Sequence, residues 1–222
     1  MKAETEEGEF VGALLKMDVF LDNYKDTPFY NSINTLANVN SKIRRTKRDG
    51  NCFYYSIVFL MLEHYCTPGH AALLINTLNT LNNDLLLSGV EDYLIKEFTD
   101  PIVSTLKAAA TGESPNIEEL DSIFWNYTVT YFRMVTSAYI KKHKEKYAGF
   151  IEGDVEEYCL KSVEASFQYA GEIEMIGIAE SFGISFDVVC IEGGCMERLT
   201  RGEGEKIGCL LLMSEHFDIL YT

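Results

Sequence analysis

The feature that most constrains this chain is an apolar run from Cys52 to Leu62, entered through the turn Asp49-Gly50-Asn51. Asp-Gly-Asn is turn chemistry, because glycine takes positive φ freely and Asp and Asn tolerate it. The run that follows is a predicted helix with hardly a polar residue in it, so the rest of the chain has to surround it. Cys52 falls in the first turn of that helix, where unpaired backbone N–H groups and the positive end of the helix dipole face its sulfur. Such a position favours thiolate over thiol and lowers a cysteine pKa to about 3.5–7.5. The alternative is a buried structural cysteine, and only a base elsewhere in the chain separates the two readings.

That base has a candidate at the far end. The stretch from Cys209 to Tyr221 reads as two strands joined by a tight Ser214-Glu215 connection, with His216 opening the last strand. Side chains alternate along a strand, so His216 and Asp218 point to the same face. An imidazole beside a carboxylate is a base beside its orienter. His64, His70 and His143 are weaker candidates. His64 lies several turns along the helix of Cys52, His70 follows a Pro-Gly turn, and His143 lies in a lysine cluster.

Along the chain, residues 1–9 are polar and acidic, and residues 10–24 carry a helix-like pattern. Residues 42–48 hold five of the 19 basic residues and read as a solvated basic loop. Helical patterns then follow at 73–87, at 90–110 with an interruption near Asp100-Pro101, at 117–125 with Asn116 as cap, and at 127–147, 154–166 and 174–181. From Ile184 the texture changes to β-rich segments punctuated by Gly193-Gly194 and by the turn at residues 201–204. Helices first and strands last predict an α+β domain rather than regular βαβ winding.

At this point the sequence resembles the otubains, the ovarian-tumour-domain (OTU) cysteine proteases that remove ubiquitin. Asp-Gly-Asn-Cys-Phe-Tyr at 49–54 and His-Phe-Asp-Ile-Leu-Tyr at 216–221 carry the resemblance. Intervening segments at 131–140, 150–153, 155–159 and 176–188 are similar to otubain segments in the same order. The resemblance implies a single OTU-type, papain-like domain over residues 20–222, with helices packed around a small mixed or antiparallel sheet formed mainly by the C-terminal third. Residues 1–19 stand apart as an acidic N-terminal segment, flexible or helical. It implies Cys52 as nucleophile, His216 as general base and acid, Asp218 as the carboxylate that orients the histidine, and Asp49 as a residue of the oxyanion-hole loop. It also implies isopeptide hydrolysis after the Gly-Gly end of ubiquitin, on polyubiquitin chains, with no metal and no organic cofactor. Three residues depart from the family pattern. Arg48 stands where a small residue or proline is usual, Glu215 where glycine is usual, and Phe217 where tyrosine is common.

Composition limits the partners. The net charge of −15, from 34 acidic and 19 basic residues, argues against nucleic acid, because phosphate contacts need a basic face. It suits high solubility first and a basic partner second, and an acidic cleft would fit the arginine-bearing ubiquitin tail that the resemblance implies. No apolar run reaches the roughly 20 residues that span a bilayer. The six cysteines form neither a C-x-x-C pair nor a zinc-like pattern, which predicts free thiols in a reducing cytoplasm or nucleus. The expectation is a monomer acting on ubiquitin and polyubiquitin chains, without nucleic acid or membrane. The competing expectations are a binder of ubiquitin or of ubiquitin-conjugating enzymes whose protease activity is weak or dispensable, and a protease for a ubiquitin-like modifier.

Overall fold

The computed structural model describes residues 9–222. Its centre is helix α3 (Cys52–Tyr65), in which every residue except Glu63 and His64 is buried. With no polar face, α3 has neighbours all round. It packs on β5 (Glu205–Met213) and β6 (His216–Tyr221), and on the helical layer formed by α4 (Ala71–Leu87), α5 (Asp92–Ala110) and α6 (Ser122–Lys142).

The sheet has six strands in the order β1-β2-β6-β5-β3-β4, where β1 is Val11–Lys16, β2 Lys42–Thr46, β3 Ile184–Glu192 and β4 Cys195–Arg201. Only the β3–β5 pair is parallel, so the sheet is mixed, and four of its strands come from the C-terminal third as expected. Alternation sorts its two faces. Phe186, Val188, Leu210, Phe217 and Ile219 join the core around α3. Ile43, Val189, Ile191, Leu211 and Leu220 instead meet α1 (Met17–Asp22) and α2 (Tyr30–Ala37) through Met17, Phe20, Ile33 and Leu36. A third, smaller core gathers α7 (Lys144–Tyr147), α8 (Val155–Tyr158) and a π turn at Cys159–Val163 against the end of α6. The last helix, α9 (Glu172–Phe182), stops at Gly183, whose φ of 64° is the left-handed cap glycine allows.

Several local expectations are corrected. Residues 10–24 are not one helix: β1 forms first and α1 follows. Strand β1 is a pairing decision, since its partner is β2, and the register breaks between Val11 and Leu14. The first five residues of the basic stretch, Lys42–Thr46, are not a solvated loop but β2, an interior strand between β1 and β6, and an exposed Arg48 follows it. Arg44 and Arg45 are buried there because each finds a carboxylate and a ring. Arg44 reaches Glu118 and lies over Phe59 at 5.0 Å, and Arg45 pairs with Asp218 and lies over Phe20 at 5.3 Å. Pro101 does not interrupt α5, whose buried stripe of Ile95, Thr99, Ile102 and Leu106 outweighs the roughly 3 kcal/mol a helical proline costs. The helix expected at 117–125 is a 3₁₀ turn at Ile117–Glu119, with α6 starting separately under an Asp121 cap. Among the described residues no helix is long and apolar enough to cross a membrane.

The β5–β6 hairpin closes with Met213 opposite His216, leaving Ser214 and Glu215 as a two-residue loop with φ of 52° and 61°. Positive φ at both positions is the signature of a type I′ turn, which favours Asn-Gly and costs other residues about 1–2 kcal/mol each. Glycine would carry no such cost at position 215. Glu215→Gly should therefore raise stability by about 1 kcal/mol, or ~2–4 °C in Tm for a domain of this size, in thermal and denaturant melts. An unchanged or lower midpoint would show that the turn carries no strain at this residue.

Candidate active site

The site is assembled where the N-terminus of α3 meets the start of β6. Gly50 has a φ of 85°, and a Cβ there would lie 2.1 Å from the Phe167 carbonyl oxygen, so the turn needs glycine for both its conformation and its clearance. Asp49 shapes the same turn, its Oδ1 accepting from the Asn51 backbone N–H at 3.1 Å and its Oδ2 from the Tyr55 hydroxyl at 3.0 Å. The Asn51 side chain is turned inward. Its oxygen accepts from Arg133 Nη2 at 2.7 Å, from Arg133 Nε at 3.1 Å and from the Phe167 N–H at 3.3 Å.

Arg133, in the middle of α6, is fully buried. Besides Asn51 it donates to the carbonyls of Gly50, Val163 and Gln168 at 3.2, 2.9 and 2.8 Å, and it lies over the Tyr54 ring at 4.3 Å. One guanidinium thus ties α6, the turn before α3, and the segment leading to Phe167 into a single unit. Each bond has a charged donor, which roughly doubles its strength over a neutral one.

On β6, His216 and Asp218 are both buried, and His216 Nε2 lies 2.9 Å from Asp218 Oδ1. The same oxygen accepts from the Thr46 N–H at 3.0 Å, and Oδ2 pairs with Arg45 Nε at 2.9 Å. Burial by itself would raise the Asp218 pKa. The bond and charge of His216, the charge of Arg45 and the Thr46 N–H outweigh it and hold the carboxyl below its usual value. An ionised Asp218 fixes the histidine tautomer: Nε2 carries the proton, and Nδ1 is left as the acceptor.

Cys52 departs from expectation. Burial pushes its thiol up to about 11, against the backbone N–H groups of Phe217 and Phe53 and with the carboxylates of Asp218 and Asp49 adding to the rise. The Phe217 N–H of β6 and, at the helix start, the Phe53 N–H both lower it, but desolvation exceeds them with Cys52 1% exposed. The participation of the Phe217 N–H in this balance puts the sulfur against the residue next to His216, so the helix start and β6 meet at these groups.

The peptidase C65 otubain family model matches residues 3–222. This chain is an otubain. It is 27% identical over 225 residues to ubiquitin thioesterase OTUB1 of Rattus norvegicus, covering 95% of this chain and 82% of that protein. It is 24% identical over 218 residues to ubiquitin thioesterase OTUB2 of Homo sapiens, covering 93% and 92%. Among solved structures, ceOTUB1 in a complex with ubiquitin aldehyde and UBC13~Ub superposes with a TM-score of 0.86 at 22% identity, over 97% of this chain and 94% of that one.

Of the residues singled out in the sequence, the otubain fold brings Cys52, His216, Asp218 and Asp49 to one end of the sheet. His143 bonds to the Tyr139 carbonyl at 2.9 Å, and His64 pairs with Glu205 at 3.0 Å and stacks on His70. None of the three joins the His216–Asp218 network. Sequence reasoning missed Arg133, Arg45 and Tyr55. Arg133 left one trace, a lone cation inside the apolar stretch at 131–140. Among the described residues no group of three or more His, Cys, Asp or Glu side chains could hold a metal ion.

The burial of Cys52 in this otubain makes its reactivity conditional. At pH 8 in the absence of substrate, iodoacetamide should modify the exposed Cys195 well before Cys52. A ubiquitin-tail electrophile, which brings its own carbonyl to the site, should reverse that order. Rapid carbamidomethylation of Cys52 near pH 6, read by peptide mapping, would instead show a thiolate already formed at rest.

Proposed function

We propose that this otubain is a deubiquitinating cysteine protease that hydrolyses the isopeptide bond after the C-terminal Gly-Gly of ubiquitin. The observation that carries the reading is the meeting of the Cys52 helix start with a buried His216–Asp218 pair 2.9 Å apart, in a chain whose family is peptidase C65. Relatives named ubiquitin thioesterase, and OTUB1 complexes holding ubiquitin aldehyde with UBC13~Ub or UBCH5B~Ub, support ubiquitin and ubiquitin-conjugating enzymes as the partner classes.

In this mechanism His216 Nδ1 takes the Cys52 proton, and the thiolate attacks the carbonyl of the terminal glycine. The tetrahedral oxyanion is held by backbone N–H groups of the turn that ends at Cys52, a contribution of order 10²–10³ in rate per donor. The imidazolium then protonates the lysine amine as the C–N bond breaks, leaving a thioester on Cys52. Water, deprotonated by the now neutral His216, hydrolyses the thioester and restores the thiol. Asp218 keeps the proton on Nε2 throughout, and Asp49 holds the turn that presents the sulfur. At the β5–β6 turn opens a cleft of about 520 Å³, lined among others by Phe29, Tyr169, Glu192, Glu215 and Phe217. Its carboxylates suit the basic side chains of the ubiquitin tail.

Cys52→Ala should abolish cleavage of a di-ubiquitin panel and capture of a ubiquitin-tail electrophile while leaving ubiquitin binding intact. Normal turnover in that variant would end the assignment. Asp218→Asn should lower kcat about tenfold or more with little change in KM, because the tautomer is no longer held. Linkage-defined di-ubiquitins and ubiquitin-like modifier probes, run in parallel, identify the substrate. Cleavage of a modifier in preference to every ubiquitin chain would replace ubiquitin in this reading.

A further inference from the structure

One buried cation at the site takes no step in the mechanism described above. Arg45 lies on β2, abreast of β6, where the register Arg44↔Ile219 sets it beside Asp218. Its Nε is 2.9 Å from Asp218 Oδ2, with the two side chains 9% and 3% exposed, and its guanidinium rests on the Phe20 ring. The other carboxylate oxygen is taken by His216 Nε2 and the Thr46 N–H. Tyr24 closes the surroundings from just beyond the end of α1, within electrostatic reach of Arg45, Asp218 and Arg48, and the Cys52 thiol feels Asp218 and Asp49. Of these groups Arg45 is the cation in direct contact with the carboxylate besides His216 itself.

We propose that Arg45 is a positioning residue of the reaction. It is the counter-ion that keeps Asp218 ionised during the steps in which His216 is neutral. This rests on the reading of His216 and Asp218 given above. When His216 is an imidazolium, Asp218 has a charged partner in it. When His216 must accept a proton, from the thiol or from the hydrolytic water, it is neutral, and a carboxylate this deeply buried would otherwise have only the neutral Thr46 N–H and Nε2–H donors to hold its charge. A lone buried carboxylate takes up a proton. Protonated Asp218 would donate from Oδ1 to Nε2, so Nε2 would become the acceptor and the ring proton would move to Nδ1. Nδ1 is the nitrogen that must accept, so the base would be lost without any heavy atom leaving its place. Arg45 opposes this because its charge stands 2.9 Å from Asp218 Oδ2 whatever the charge on His216. Its permanent charge, held 2.9 Å from a buried carboxylate oxygen, suits it to that part.

A double-mutant cycle tests the proposal. The kcat and KM for a fluorogenic ubiquitin C-terminal amide are measured in Arg45→Met, Arg45→Lys, Asp218→Asn and the double variant Arg45→Met with Asp218→Asn, with thermal melts alongside. With Asp218 intact, Arg45→Met should lower kcat at least about tenfold with KM nearly unchanged, within the range a general base contributes. Arg45→Lys should recover most of the loss. On top of Asp218→Asn, Arg45→Met should cost less than about twofold further, because a neutral amide needs no counter-ion. An equal loss in both backgrounds would overturn the proposal and leave Arg45 as packing on Phe20. An unchanged kcat in Asp218→Asn alone would instead sink the reading of the pair, and this inference with it. Should Arg45→Met not fold, Arg45→Gln runs the same cycle. Imidazole ¹⁵N shifts of neutral His216 in the Cys52→Ala protein read the tautomer directly: Nε2–H with Arg45 in place, shifting to Nδ1–H on Arg45→Gln. An unshifted tautomer would also overturn the proposal.

Discussion

The structure depends on one buried guanidinium. Arg133 reaches out of α6 into a space walled by the turn before α3 and by the segment from Val163 to Gln168, and every hydrogen bond it makes there ends on an inward-facing carbonyl or amide oxygen. A cation so placed is costly to desolvate, and burial draws its pKa down despite the nearby Tyr54 hydroxyl and Glu174 carboxylate. That cost is met only when all of these oxygens converge. The arrangement is therefore close to all-or-none. If the turn, α6 and the Phe167 segment are in place together, the charge is satisfied; if any one is displaced, it is not. The conformation that presents Cys52 is held in this way from behind, by a helix far along the chain.

The opposite wall of the site is held by a second ionic arrangement of the same kind. Asp218 divides its two oxygens between His216 and the Thr46 N–H on one side and Arg45 on the other. Both walls thus use arginines that ordinary composition arguments assign to the surface. Between them lies a thiol that burial holds in its protonated form, near a histidine whose tautomer is already set.

Much of the architecture was legible because it follows from short-range rules. Period 2 put His216 and Asp218 on one face, the turn chemistry marked Gly50, and the switch from helical to β texture at Ile184 marked the start of the C-terminal strands. What failed, failed where the partner was remote. Residues 42–48 carry the polarity of a loop, yet Lys42–Thr46 form an interior strand because Glu118, Asp218, Phe59 and Phe20 arrive from four other elements to receive Arg44 and Arg45. The helix-like pattern across residues 10–24 gave way at Val11–Lys16 to the ladder offered by β2.

The sequence alone determined the turn that exposes the helix start, the apolar helix that everything else encloses, the pairing of an imidazole with a carboxylate two residues on, and the otubain resemblance that gives these residues their roles. These depend on backbone sterics and side-chain alternation within a few residues. Only the tertiary structure decided which cations stand against Asn51 and Asp218, and that the Cys52 thiol is raised rather than lowered at rest. Those outcomes turn on desolvation and on distances between strands and helices far apart in the chain, and no local rule contains them.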